Sequence, residues 1–207
     1  HQMSTIEGGV VSTEDKGFHD LLVMLRSHGW SRDLDDAAHQ ALAQKYGIDD
    51  AHRPFVFYEP GFNVRSTDLN AFLGIKQLEK LDWMVRRRHE NHTRYQKLLA
   101  DKFTIQRCQD SQATLSTIHF CVVSESREQR HAIANALVAN GIETRLFTAG
   151  NLGLHPFWFN RYGKAHFPMA DRLHHCGIFL PNHPYLAEKD VDFIAHVAME
   201  GSCVPKS

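Results

Sequence analysis

His1-Gln2-Met3-Ser4-Thr5-Ile6-Glu7-Gly8-Gly9 opens the chain and closes on a pair of glycines. The glycines permit a tight turn, and Gly8 to Thr13 (GGVVST) predicts a short strand leaving it. Glu14 to His28 follows as a helix. Its Phe18, Leu21, Leu22 and Leu25 recur at helical spacing, and Gly29 stands just past its end. Residues 30–60 are polar and irregular, interrupted by Pro54 and Pro60, and a loop of that length usually carries function. Ser66 is a good N-cap for the next helical pattern, in which Leu69, Phe72, Leu73, Leu78, Leu81 and Val85 fall at helical spacing. That pattern runs to about Ala100 and places Arg86, Arg87 and Arg88 on an exposed face.

Beyond residue 100 the composition shifts. Residues 101–116 read as a connector, Thr117 to Val123 as a strand and Arg127 to Asn140 as a helix stopped by Gly141. Ile142 to Phe147 reads as a strand, Pro168 to Cys176 as a helix, Ile178 to Leu180 as a short strand and Ala187 to Glu200 as a closing helix. Strands alternating with helices predict an α/β layer.

Bulk properties exclude several classes. A net charge of -1 and a pI near 7.0 favour neither nucleic acid nor an anionic membrane. Hydrophobic residues make up 43% of the chain, yet no apolar run approaches the ~20 residues of a membrane span, and the start lacks the pattern of a signal peptide. Cys108, Cys121, Cys176 and Cys203 are widely spaced without a CxxC pair, which fits reduced thiols in a cytoplasmic enzyme. The fifteen histidines are mostly scattered. His174-His175 would point to different faces, and no metal-ligand spacing is visible, so no metal site is expected.

The opening nonapeptide resembles the Lys-Asn-Ile-Thr-Thr-Gly-Glu-Gly-Gly signature of the DegT/StrS sugar aminotransferases, which are fold type I pyridoxal phosphate enzymes. Gly61-Phe62-Asn63-Val64-Arg65 resembles the family's Gly-Tyr-Asn-x-Arg, with Asp68-Leu69, Gly74 and Gln77-Leu78 following it. The Gly141-Ile142-Glu143-Thr144-Arg145 turn and the late Leu180-Pro181 and His183-Pro184 complete the pattern. The resemblance covers nearly the whole chain as the C-terminal half of a family member. It implies the C-terminal part of an α/β fold type I enzyme: residues 1–100 as the tail of the large cofactor-binding domain with a long linking helix, and residues 101–207 as a small α/β domain. It also implies pyridoxal or pyridoxamine 5′-phosphate as cofactor and a homodimer whose subunits share active sites. Features of the family's first half are missing, including the aspartate at the pyridine nitrogen. The chain is therefore expected to be a fragment or truncated product that is catalytically incompetent by itself.

The departure is at His1, where the family carries the lysine of the internal Schiff base. One branch made this exchange and became sugar 3-dehydratases. There, the resemblance implies, a histidine removes a proton from the cofactor's C4′ carbon and helps expel the C3 hydroxyl of a 4-keto sugar, work suited to a group that titrates near neutrality. The resemblance further assigns Asn63 to the cofactor phosphate across the dimer and Arg65 to the carboxylate of glutamate, the amino donor. His28, with Trp30 and Arg32, begins the long loop and is a candidate for sugar or phosphate contact. Residues 31–60 contain no cysteine, which disfavours the related branch that holds an iron–sulfur cluster. What remains is the cluster-free branch acting on GDP-4-keto-6-deoxy-D-mannose, whose product enters dideoxyhexose synthesis for O-antigen polysaccharide. The alternatives are an ordinary nucleotide-sugar aminotransferase and a remnant that folds and dimerises without turnover. Around His155-Pro156-Phe157, a packing cluster of Phe157, Trp158 and Phe159 is expected rather than a substrate loop.

Overall fold

The computed structural model describes residues 2–107 and 112–203, which fall into two compact units. The first comprises residues 4–77; the second comprises Gln2, Met3 and the chain from Leu78 onward.

In the first unit, α1 (Lys16–Leu25) starts where the Asp15 side chain accepts the Phe18 N–H at 2.9 Å. It buries Val23 and Met24, while Phe18 stays 47% exposed. The region expected to be irregular contains a second helix, α2 (Asp36–Tyr46). Its ends follow ordinary capping rules: Asp35 accepts the Ala38 N–H, and Gly47 closes it at φ 64°. Its apolar period is weak, and only Ala43 is buried. A 3₁₀ turn at Arg53–Phe55 follows, and then α3 (Asp68–Leu78). Thr67 rather than Ser66 caps α3, by reciprocal bonds in which Thr67 N–H donates to Asn70 Oδ1 and Asn70 N–H to Thr67 Oγ1. The strand expected at Gly8–Thr13 does not form. Val10 and Val11 are 90% and 68% exposed, and a strand needs a neighbour to complete its ladder, which no described segment supplies.

In the second unit, α4 (Leu81–Leu99) is separated from α3 by a turn at Glu79–Lys80. The four strands β1 (Thr104–Ile105), β2 (His119–Val123), β3 (Arg145–Leu146) and β4 (Gly177–Pro181) form an antiparallel sheet in the order β1-β2-β4-β3. Between them run α5 (Arg127–Ala139), α6 (Pro156–Tyr162) and α7 (Pro168–Cys176), and α8 (Glu188–Gly201) closes the fold. Of the strand expected at Ile142–Phe147 only Arg145 and Leu146 pair with β4. Ile142 is drawn into the core, and the Thr144 hydroxyl bonds to the Phe179 carbonyl at 2.6 Å.

Alternation along β2 and β4 sorts the two faces. Phe120, Val122, Ile178 and Leu180 are fully buried against Tyr95 and Leu99 of α4, Ile133 and Leu137 of α5, and Val191, Ala195 and Ala198 of α8. Each such side chain contributes about 1.5–3 kcal/mol by leaving water. The opposite face carries a smaller cluster of Cys121, Val123 and Cys176 with Phe147, Leu173 and Phe179. Tyr95 ties helix to sheet twice, stacking on Phe120 at 5.0 Å and donating its hydroxyl to the Pro181 carbonyl at 2.9 Å. Of the basic run expected on an exposed face, Arg88 is buried at 7% exposure. It shares the inward stripe Met84, Arg88, Asn91, His92, Tyr95 and Leu99 of α4. The aromatic cluster expected at 157–159 is not a packed core, since Phe157 is 60% and Trp158 36% exposed on α6. Among the described residues no helix is long and apolar enough to cross a membrane, and no group of three or more His, Cys, Asp or Glu side chains gathers as for a metal ion.

Candidate functional site

Asn63 owes its position to two glycines. The segment Phe62–Val64 lies along the end of α1: Phe62 N–H donates to Leu25 O at 2.6 Å, Val64 N–H to Arg26 O at 3.0 Å, and His28 N–H to Phe62 O at 2.7 Å. Ser27 and Asn63 face each other as an antiparallel bridge. The backbones come so close that a Cβ on Gly29 would lie 1.7 Å from the Glu59 oxygen. Gly29 has φ 88°, and His28 is itself left-handed at φ 62°. Two candidates distant in sequence, His28 and Asn63, therefore meet at one fixed backbone junction. Asn63 and Arg65 are both exposed, and no described residue engages the Asn63 amide or the Arg65 guanidinium. The His28 ring lies 5.1 Å from Trp30, and Arg32 covers the Trp30 face at 4.7 Å. Beneath them Ser31 is buried with its hydroxyl unpartnered among the described residues.

The residues after His1 are anchored differently. Ser4 N–H donates to Gln77 Oε1 at 3.5 Å, the Asn70 amide donates to Thr5 O at 2.6 Å, and Gly74 packs under the Thr5 methyl. The opening motif and the Gly74–Gln77 motif are thus two sides of one contact. His1 itself lies outside the described residues. Its neighbour Gln2 is held in the second unit by three hydrogen bonds: its Oε1 accepts from Arg88 Nη1 at 2.5 Å and Ser116 Oγ at 2.7 Å, and its Nε2 donates to the Ser116 carbonyl. The late Leu180–Pro184 turn joins the same region. Buried Asn182 donates to Arg88 O at 3.1 Å and Thr117 O at 2.8 Å, and Asn91 donates to His183 O at 3.1 Å. His92 completes the network through Thr117 Oγ1 at 3.1 Å. Burial, with His89 nearby, holds its pKa below the ordinary 6.5.

Sequence reasoning missed Gln2, Arg88, Ser116 and Asn182. Arg88 was hidden in a basic run, although its place four residues after Met84 and seven before Tyr95 marks it as inward-facing. A cavity of about 280 Å³ opens beside Arg88 and Asn182, bounded also by His119, Thr144, Arg145 and His183. A larger groove of about 530 Å³ is bordered by the exposed, oppositely charged side chains of Lys102, Arg107, Glu125 and Arg172 over the buried Phe103 and Val123. It gathers none of the candidate residues.

The sequence pattern of the DegT/DnrJ/EryC1/StrS aminotransferase family matches residues 1–198. The chain belongs to that family. Within this family it is 31% identical to GDP-4-keto-6-deoxy-D-mannose 3-dehydratase of Yersinia pseudotuberculosis over 153 residues, 73% of this chain and 38% of that protein. It is 26% identical to GDP-perosamine synthase of Escherichia coli O157:H7 over 195 residues, 93% of this chain and 46% of that one. Among solved structures, E coli GDP-4-keto-6-deoxy-D-mannose-3-dehydratase with bound hydrated PLP matches with a TM-score of 0.76 at 24% identity, over 96% of this chain and 51% of that chain. The α/β fold expected from the sequence is the one shared with this DegT-family structure. The chain spans about half the length, or less, of the relatives it matches.

Proposed function

We propose that the chain is the C-terminal part of a pyridoxamine/pyridoxal phosphate-dependent nucleotide-sugar 3-dehydratase acting on GDP-4-keto-6-deoxy-D-mannose, with glutamate as amino donor. Residues 1–100 supply the tail of the large domain with the linking helix, and residues 101–207 supply the small domain. The observation that carries the reading is an imidazole at the family's lysine position, directly before a Gln2 side chain that three hydrogen bonds hold. The likeness to a Yersinia pseudotuberculosis 3-dehydratase supports it.

The residues present suit the cofactor. An exposed Asn63 amide on a pinned backbone segment offers hydrogen-bond donors to a phosphate, and Arg65 two residues on offers a fork to a carboxylate. When bound, the cofactor supplies an electron sink for the carbon that loses its proton. The chain's own part is proton handling and placement. His1 takes and returns a proton at a ring nitrogen near neutral pH, and Gln2 fixes the backbone next to it. Asn63 and Arg65 orient anionic groups, and the His28–Trp30 face presents an aromatic wall to a sugar. The assembly is a cytoplasmic homodimer with shared active sites, and the isolated chain is inactive.

The test uses the complete parent polypeptide. His1→Asn abolishes sugar dehydration; unchanged turnover would sink the assignment. Borohydride reduction leaves no pyridoxyl group on a lysine, whereas a pyridoxyl-lysine peptide would establish the aminotransferase instead.

A further inference from the structure

We propose that the cavity beside Arg88 is a binding site for a small carboxylate, held by the Arg88 guanidinium and closed by Arg145.

Three observations converge on it. Arg88 is buried, and among the described residues no carboxylate forms an ion pair with it. Its Nη1 donates to the neutral amide of Gln2, and its buried Nε–H meets no acceptor. A buried guanidinium without an anion is costly, because the charge has left water and nothing of opposite sign replaces it. Burial accordingly lowers the Arg88 pKa, with no compensating pull from an acid. Second, Arg88 does not face solid protein. It borders a cavity of about 280 Å³, large enough for a small organic anion and too small for a nucleotide. Third, the lining holds a second positive charge. Arg145 projects from β3, its nearest acid is Glu143 at a loose 3.7 Å, and both are exposed.

The lining selects the ligand. Each carboxylate of a short dicarboxylate is planar and matches a guanidinium edge, so one group suits Arg88 and the other suits Arg145. Phosphate concentrates its charge on one tetrahedral group, and Glu143 in the lining opposes it. His119 and His183 complete the rim: burial and Arg145 lower the His119 pKa, and its ring stacks on Phe179 at 4.8 Å. The site uses none of His1, Asn63 or Arg65, so it stands or falls apart from the dehydratase reading.

Calorimetric titration of the 207-residue chain with sodium succinate tests it, with ionic strength held constant by sodium chloride and sodium phosphate titrated in parallel. We expect saturable succinate binding and phosphate binding at least tenfold weaker. Arg145→Gln, an exposed position that leaves folding intact, weakens succinate binding severalfold at an unchanged melting temperature. Arg88→Met abolishes it. In nitrogen-15 spectra the Arg88 Nε–H resonance moves on succinate addition, a readout that holds if Arg88→Met fails to fold. Absence of saturable binding, equal affinity for phosphate, or wild-type affinity in Arg145→Gln would each overturn the proposal.

Discussion

A Cβ placed on Gly61 would lie 2.2 Å from the backbone nitrogen of Gly29 and 2.5 Å from the carbonyl carbon of His28. Those atoms are backbone and cannot swing aside. Gly61→Ala must therefore push the Phe62–Val64 segment off the end of α1, breaking the His28–Phe62 and Val64–Arg26 bonds together. We expect a loss of roughly 3 kcal/mol, at the upper end of ordinary single-substitution effects, read as a lower urea midpoint. A midpoint unchanged from wild type would show that the junction is not rigid.

Much of the second unit was legible because its signals are local. α7 and α5 begin at Pro168 and after Ser126, and the central strands β2 and β4 are short, largely apolar runs rich in β-formers such as Phe120, Val122, Val123, Ile178 and Phe179. α2 was missed because its apolar period is faint, although Asp35 and Gly47 bracket it by capping chemistry alone. The Gly8–Thr13 strand failed for the opposite reason: propensity favours a strand, but pairing is a tertiary event. Among the candidate residues, the family resemblance pointed to Asn63 and Arg65. No spacing announces that Gln2, Arg88, Ser116 and Asn182, up to 180 positions apart, meet in one network.

Asn182 is the keystone of that network. Its Nδ2 serves Arg88 O, Thr117 O and Thr117 Oγ1 at 3.1, 2.8 and 3.2 Å from a fully buried position. Asn182→Leu keeps the branched shape but removes the donor, and the Thr117 carbonyl loses this partner at about 1–3 kcal/mol, while the Arg88 carbonyl keeps its place in the α4 helix ladder. Thermal unfolding should shift down by several degrees, and a variant that melts with wild type would refute the accounting.

Helix α3 exposes an apolar stripe: Leu69, Phe72, Ile75 and Leu78, each 56–62% exposed, recur every three residues with none buried. Stripes of this kind mark contact surfaces. The chain should self-associate at micromolar concentration, and Ile75→Glu should shift it toward monomer without lowering its melting temperature. Sedimentation velocity decides; a wild-type chain that stays monomeric at 100-fold higher concentration would remove the homodimer from the proposal.

Acid should loosen the second unit through histidines held neutral. Burial is the main cause that lowers the His92 pKa below 6.5, and the same cause acts on His119 and His174. Above pH 6.5 folded and unfolded chains are both neutral at these rings, so the sites add no pH dependence there. Below it the unfolded chain binds protons that the folded chain refuses, and stability falls as the pH drops toward the folded values. His92 is the most enclosed of the three, at 2% exposure, with its Nδ1 engaged by Thr117. One refused proton corresponds to at most about 1.4 kcal/mol per pH unit. His92→Asn can retain the bond to Thr117 but cannot take up a proton. Urea unfolding from pH 7.5 to 5.5 should show a shallower slope in this variant than in wild type, even if its stability at pH 7.5 is lower. Parallel slopes would mean that His92 is protonated inside the fold, contrary to the enclosure argued for it.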